Sequence, residues 1–243
     1  MDYGIQMYSL RDITGDRMEY ALETVAELGY KYIEFAGYGG LSAKQLRAKM
    51  DSLGLVCVST HTGWGSVVND FDRTVEFHRE LGCTDITTPG ENLKTKERLE
   101  DFARSLDTYL PKLHDAGFEM HYHNHAHEFK PNDDGIIIHE FLQKNTDIKF
   151  EIDTFWTYVA GLDPVSVITQ LKDRIKFIHL KDGDSIGNGN SLGLGNAPVK
   201  EVRRKAAELG FIEIVESERP DADNLTDVRC CMDYLRALEA LED

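Results

Sequence analysis

The chain has 243 residues, of which 41% are hydrophobic and 29% are charged, and its formal net charge is −16. This length suits one α/β barrel as well as two small domains, and the negative charge argues against nucleic acid as a partner, because that binding depends on lysine and arginine. The sequence contains no apolar run near the ~20 residues of a membrane span and no signal-peptide pattern. We therefore expect a cytoplasmic protein that contacts neither nucleic acid nor membrane.

Helical patterns end in glycine and lead directly into apolar, β-rich runs at five points in the chain. In chain order these junctions read AELGYKYIEF, DSLGLVCVST, RELGCTDITT, HDAGFEMHYH and AELGFIEIVE. Glycine can take the left-handed conformation that closes a helix, so each junction predicts a helix followed by a strand. Three further strand patterns, YGIQMYSLRD, DIKFEIDTFW and RIKFIHLKDG, complete a set of eight.

The eight predicted strands alternate with helices along the whole chain. They begin near Tyr3, Tyr30, Leu55, Thr84, Phe118, Ile148, Ile175 and Phe211, with helices predicted at, for example, 16–28 and 95–116. This alternation predicts a (β/α)8 TIM barrel of the α/β class, with residues 1–243 in a single domain. A doubly wound open sheet is the alternative, but no glycine-rich phosphate loop follows the first strand.

Ionisable side chains stand where most of the predicted strands end. The set comprises Glu34, His61, His123, His125, Glu151, Asp153, His179, Lys181, Glu216 and Glu218. In barrels of this class the catalytic groups come from the carboxyl ends of the strands. Burying a carboxylate or an imidazole is costly unless it is paired or bound to a metal. The convergence of these residues on one rim therefore predicts a functional site.

The stretch HYHNHAHEF places a histidine at every second position from His121 to His127. In a strand, alternate side chains share a face, so His121, His123 and His125 are expected to point the same way. We expect His121 to lie deeper inside the barrel and His127 to fall in the loop beyond the strand.

Several of these residues also have a purely structural explanation. His179 can be a hydrogen-bonded core histidine, Asp153 can cap the helix that follows it, and Glu216 can pair with Arg219. The metal-site hypothesis rests on four strands that each end in a residue able to bind a divalent ion. Three other histidines fall on helical patterns and are expected at the surface: His78, His114 and His139.

The strand ends YHNHAHEF, EIDTFW, HLKDG and IVESE, in this order, resemble the xylose-isomerase-like TIM barrel superfamily, and in particular its sugar phosphate isomerase/epimerase group. The resemblance implies a divalent cation, often manganese, held by one residue from each of these four strands. Carried over to this sequence, the ligands are His123, Asp153, His179 and Glu216. The sugar epimerases of the family usually have a glutamate where this chain has His123. The YHNH form also resembles dehydratases or lyases such as inosose dehydratase.

The donor set by itself indicates the chemistry. Two imidazoles and two carboxylates suit manganese, zinc, cobalt or iron better than calcium, and magnesium is a further alternative. Such an ion polarises a carbonyl and stabilises an enediolate. Glu216 is the candidate base, and Lys181 or His125 is the candidate acid. Because a metal-bound imidazole is a poor proton shuttle, Glu128 is another candidate for the second acid/base group.

Three classes of function fit this site. A metal-dependent sugar isomerase or epimerase comes first, and the alternative is a lyase or dehydratase acting on a keto-sugar or keto-inositol, by an inosose dehydratase-like reaction or by 3-keto-glycoside elimination. A non-catalytic sugar-binding barrel is third, and the acidic charge disfavours an endonuclease. We expect Glu34, His61 and Trp156 to bind a small sugar or polyol, unphosphorylated because no arginine and lysine cluster stands near the strand ends. The sequence does not distinguish a monomer from a homo-oligomer.

Overall fold

Eight parallel strands close into a barrel in the computed structural model, which describes residues 1–242. They are β1 Gly4–Gln6, β2 Tyr32–Phe35, β3 Val56–His61, β4 Asp85–Thr88, β5 Glu119–His123, β6 Lys149–Asp153, β7 Ile175–Leu180 and β10 Ile212–Val215. Each begins within two residues of its predicted start. The strands lie in chain order around the barrel, and β10 closes the ring between β7 and β1. The predicted TIM barrel is therefore confirmed.

A short antiparallel hairpin interrupts the long loop after β7. Its strands are β8 Asp182–Gly183 and β9 Gly189–Asn190. The buried carboxylate of Asp182 holds this loop, because it accepts hydrogen bonds from the backbone N–H groups of Gly193, Gly195 and Ala197 at 2.9 to 3.1 Å. The loop is thereby tied to the rim of the barrel where β7 ends.

Helices cover the outside of the barrel. They are α1 Arg11–Thr14, α2 Met18–Leu28, α3 Ala43–Leu53, α4 Trp64–Asn69, α5 Phe71–Leu81, α6 Lys96–Asp115, α7 Ile138–Asn145, α8 Thr154–Val159, α9 Pro164–Gln170, α10 Val199–Leu209 and α11 Asn224–Glu242. All five predicted helix ends have glycine in the left-handed conformation, at Gly29, Gly54, Gly82, Gly117 and Gly210. Within the described chain, no helix combines the length and the apolar character that crossing a membrane requires.

Two of the three helical histidines are not where the sequence predicts them. His114 is exposed, as predicted, but His78 and His139 are only 2% and 1% exposed. His78 shares the buried face of α5 with Val75 and Leu81, and its ring bonds Thr60. The surface prediction is wrong for both residues, because a helical pattern locates a residue on a helix without showing which face packs inward.

Candidate active site

Four strands bring two imidazoles and two carboxylates together at the carboxyl end of the barrel. His123 and Asp153 end β5 and β6, His179 lies in β7 beside Asp153, and Glu216 directly follows β10. Nδ1 of His179 is 2.9 Å from Oε2 of Glu216, and Nε2 of His123 is 3.6 Å from Oδ2 of Asp153. One ligand atom from each of the four side chains lies within 4.8 Å of all the others. The structure thus brings together the four residues that the sequence predicts as ligands.

These residues fit a divalent cation. Both ring nitrogens of His123 and Oδ2 of Asp153 are buried without a hydrogen-bond partner, an arrangement that is costly unless another group satisfies them. Burial lowers the pKa of His123 to about 4, so the ring is neutral and has a free lone pair. Ligands at ~2.1 Å from one ion stand roughly 3 to 4 Å apart, and the ion pairs among the four side chains span 2.9 to 3.9 Å.

Asp153 combines the structural and the metal-site explanations. Its Oδ1 accepts the backbone N–H of Trp156 at 2.9 Å and so caps α8. Its Oδ2, the unpartnered oxygen, faces the other three candidate ligands. The cap fixes the carboxylate so that one oxygen stays available.

Glu216 pairs with groups inside the barrel rather than with Arg219. Arg219 instead bonds Asp221 at 2.6 Å. Oε2 of Glu216 faces His179, while Oε1 lies 3.7 Å from the ammonium group of Lys181. Burial alone would raise the pKa of Glu216, but the charge of Lys181 and the hydrogen bond from His179 hold it well below its ordinary value. Glu216 is therefore a carboxylate with one oxygen toward the ligand set and the other toward Lys181.

Lys181 is a buried cation held by carboxylates. It is only 2% exposed, and its Nζ donates to Oε2 of Glu218. Burial would lower the pKa of Lys181, but the charges of Glu216, Asp153 and Glu218 raise it above its ordinary value. The ring of Trp156 lies 5.2 Å from Nζ. Lys181 therefore stays protonated near neutral pH.

A cavity of about 440 Å³ opens directly above the candidate ligands. It is lined by Tyr8, Ala36, His61, Pro89, His123, His125, Lys181, Glu216 and Glu218. The ring of His125 packs edge-on against His123 at 5.1 Å and lies 5.7 Å from that of Trp156. Glu216, Lys181 and His125, which the sequence predicts as acid/base groups, all reach this cavity, and Trp156 stands beside it.

Glu128 supports the rim without lining this cavity. Its Oε2 accepts the backbone N–H of His125 at 2.8 Å, and its Oε1 accepts the hydroxyl of Tyr122 at 3.3 Å. Burial raises the pKa of Glu128 to about 7. His127, expected in a loop, lies in a short 3-10 helix at Ala126–Phe129, with an exposed side chain. These bonds shape the turn that carries His125.

A second group of ionisable side chains adjoins the candidate ligands and shares His179 with them. Glu34, His61, Glu151 and His179 are close enough to share an ion. Nε2 of His61 is 2.8 Å from Oε2 of Glu151, and burial together with the charge of Glu34 raises the pKa of Glu151 to about 8. The fully buried Glu34 is absent from the cavity lining, so the substrate contact predicted for it lacks support, whereas His61 does line the cavity.

The sequence places Glu151 at a strand end but assigns it no role. It is fully buried two positions before Asp153 on the same strand. Alternate residues of a strand share a face, so the spacing in FEIDTF was the available signal. His121 lies inside the barrel as predicted, where its Nε2 is 2.9 Å from Oδ1 of Asp85.

Comparisons with known proteins agree with this architecture. The model of the family described as xylose isomerase-like TIM barrel matches residues 22–238. Inosose dehydratase from Geobacillus kaustophilus (strain HTA426) is 26% identical over 191 residues, which are 66% of this chain and 60% of that protein. The match thus spans less than two thirds of the length of this curated relative.

Two solved structures extend the comparison to the fold. A sugar phosphate isomerase/epimerase from Parabacteroides distasonis ATCC 8503 superposes with a TM-score of 0.83 at 24% identity, covering 97% of each chain. L-ribulose 3-epimerase superposes with a TM-score of 0.75 at 16% identity, covering 99% of this chain and 95% of that one. With the closed barrel and the family match over most of its length, the chain belongs to the xylose isomerase-like TIM barrel family.

Proposed function

We propose that this protein is a divalent-metal-dependent sugar isomerase or epimerase that works through an enediolate. The observation that carries the proposal is the convergence of His123, Asp153, His179 and Glu216 beneath an open cavity. Among their possible ligand atoms, both ring nitrogens of His123 and Oδ2 of Asp153 are buried without a hydrogen-bond partner. Manganese is the first candidate ion, and zinc, cobalt, iron and magnesium are alternatives, because a mixed imidazole and carboxylate set suits such ions. The ion would polarise the substrate carbonyl and stabilise the charge of the enediolate.

The side chains of this site have distinct roles in the proposed reaction. Glu216 accepts the proton from the carbon next to the carbonyl, through the oxygen that points away from His179. Lys181, held in its protonated form, returns a proton to the enediolate. Protonation of the original carbon from the other face gives an epimer, and protonation of the neighbouring carbon gives an isomer. His125 is the alternative acid, since it lines the same cavity.

The proposed substrate is an uncharged sugar or polyol. Among the described residues that line the cavity, Lys181 is the one lysine or arginine, and Glu218 already engages its ammonium group. A phosphate would bring further negative charge close to Glu216 and Glu218 without a free cation to receive it. Trp156 and Tyr8 offer aromatic surface at the cavity and its edge for the apolar face of a sugar ring.

A dehydratase or lyase is the second candidate. It is favoured by the similarity to inosose dehydratase and by His123 at the first ligand position, because a metal-bound imidazole is a poor proton carrier. In this reaction Glu216 removes the same proton, and Lys181 protonates the hydroxyl or glycosidic oxygen that leaves from the adjacent carbon. The two candidates therefore share their first step and differ in the fate of the enediolate.

One experiment distinguishes these reactions. The manganese-loaded protein is incubated in D₂O with L-ribulose or with an inosose, and the products are followed by NMR and mass spectrometry. Deuterium incorporation with retention of every oxygen supports an isomerase or epimerase. Loss of one water supports the dehydratase. If a wider panel of ketoses and keto-inositols shows neither exchange nor elimination, while the ion is bound, the enediolate proposal is contradicted.

A further inference from the structure

Both ring nitrogens of His179 face carboxylates. Nδ1 lies 2.9 Å from Glu216 in the candidate metal site, and Nε2 lies 2.6 Å from Oε2 of Glu34 on the side away from that site. Both carboxylates and the imidazole are buried. Only a nitrogen without a proton can bind a metal ion, so the partner of Nε2 decides what Nδ1 can do.

We propose that Glu34 is a positioning residue that accepts the Nε2 proton of His179 and thereby presents Nδ1 to the divalent ion. This inference rests on the proposed metal site. A carboxylate has no proton to donate, so Glu34 can bond only a protonated Nε2. In the metal-bound state the ring would be neutral, with its proton on Nε2 and its lone pair on Nδ1, toward Asp153 and Glu216. The same bond holds the ring in this orientation.

The neighbours of Glu34 fix its own orientation. Gln6 accepts the backbone N–H of Tyr8 through Oε1 at 2.9 Å, which leaves its amide N–H₂ group to donate to Oε2 of Glu34 at 2.8 Å. Oε2 of Glu34 therefore accepts hydrogen bonds from both Gln6 and His179. A line of contacts runs from the backbone at Tyr8, on the cavity wall, through Gln6 and Glu34 to the candidate ligand His179.

A second cation among Glu34, His61, Glu151 and His179 is the rival explanation of this cluster. The 2.6 Å separation of Nε2 and Oε2 argues against it. Two neighbouring ligands at ~2.1 Å from one ion stand roughly 3 Å apart, whereas a nitrogen-to-oxygen separation of 2.6 Å indicates a short hydrogen bond to the carboxylate. A cation there would also require His179 to lose both ring protons in order to bridge two metals.

Glu34→Gln tests the proposal. Glutamine has nearly the same shape, and its carbonyl oxygen can take the place of Oε2 between Gln6 and His179, but this oxygen carries no charge and accepts the Nε2 proton more weakly than the carboxylate does. We expect a 10- to 100-fold loss of zinc and manganese affinity, the range typical for removing the outer partner of a metal-binding histidine. Asp85→Asn is the matched control, because it makes the same change in the buried Asp85–His121 pair at the other end of the barrel. Its metal affinity should match the wild type.

Three measurements decide the outcome. Calorimetry gives the affinities, elemental analysis gives the number of ions per chain, and ¹⁵N NMR of the zinc-loaded wild type shows whether Nε2 of His179 carries a proton. One ion per chain, a protonated Nε2 and weaker binding by Glu34→Gln support the proposal. The NMR result does not depend on a variant folding.

Other results overturn the proposal or its premise. Wild-type affinity in Glu34→Gln, or a metal-bound Nε2 in the wild type, refutes the positioning role. If the wild type binds two ions per chain and Glu34→Gln loses one of them, the cluster of Glu34, His61, Glu151 and His179 is a cation site instead. If the wild type binds no ion at all, the proposed metal-dependent function fails, which is distinct from failure of the positioning role.

Discussion

Nδ1 of His179 lies 2.9 Å from Oε2 of Glu216, although 37 residues separate them in the chain. Burial would lower the pKa of His179, but the surrounding carboxylates Glu151, Glu34 and Glu216 raise it well above the ordinary histidine value. The two side chains can therefore share a proton when no ion is bound. When an ion is bound, both can serve as its ligands. Since either occupant offsets the buried charge, we expect the barrel to fold with and without metal.

Asp153→Asn should weaken metal binding without disrupting the fold. Asparagine keeps an oxygen for the N–H of Trp156 at the start of α8 but replaces the free Oδ2 with an amide group that donates hydrogen bonds. We expect at least a 10-fold loss of manganese affinity in calorimetry, in line with the loss of a charged ligand. Thermal unfolding of the metal-free variant should stay close to that of the metal-free wild type. Unchanged affinity would remove Asp153 from the ligand set.

Glu216→Gln should reduce turnover more than it reduces metal affinity. Glutamine can still offer one oxygen to the ion, but it cannot accept the substrate proton. Loss of a positioned base costs ~10² to 10⁴-fold in rate, so kcat measured with the ion at saturation should fall by that range. Metal occupancy is checked by elemental analysis in the same sample. A fully loaded variant with near wild-type kcat would place the base elsewhere, with Lys181 or His125 next in line.

Lys181→Met should lower kcat while the ion stays bound. Methionine fills a similar volume beside Trp156 but has no proton to return to the enediolate. We expect a loss of ~10² or more in kcat. Lys176→Met is the control, because Lys176 pairs with Asp85 outside the catalytic cavity. Equal activity of the two variants would exclude Lys181 as the acid.

His139→Phe should make the protein less sensitive to acid. His139 lies between the rings of Phe129 and Phe150 at 4.4 and 4.5 Å. Burial lowers its pKa from 6.5 to about 3. As the pH falls below 6.5, the unfolded chain therefore binds a proton that the folded chain excludes, and stability is lost until the pH nears 3.

The size of this effect follows from the linkage between proton binding and folding. The wild type should lose roughly 2 kcal/mol relative to His139→Phe between pH 7 and pH 5, at ~1.4 kcal/mol per pH unit. Urea unfolding at both pH values measures the difference. His114→Phe, which changes an exposed histidine, should show the pH dependence of the wild type. If the free energy of unfolding changes equally with pH in the wild type and in His139→Phe, the proposal that His139 is buried as a neutral ring is wrong.

The sequence by itself determined the barrel and the set of candidate ligands. Apolar periodicity and the glycine that closes a helix are local properties of the chain, so the eight strand positions could be derived without tertiary contacts. Because the carboxyl ends of all parallel strands meet at one rim, His123, Asp153, His179 and Glu216 could also be grouped from their strand positions and the family resemblance.

Only the tertiary structure decided how these side chains are oriented and paired. Glu34 and His179 are 145 residues apart, and strand ends alone place both on the rim. Packing puts Glu34 below the cavity, against Nε2 of His179, because the closure of the barrel sets the depth of each strand relative to the others. His78 and His139 are buried for the same reason, because their environment depends on residues that are distant in the chain. A side chain's environment is built by residues far away in the chain, which a local pattern does not contain.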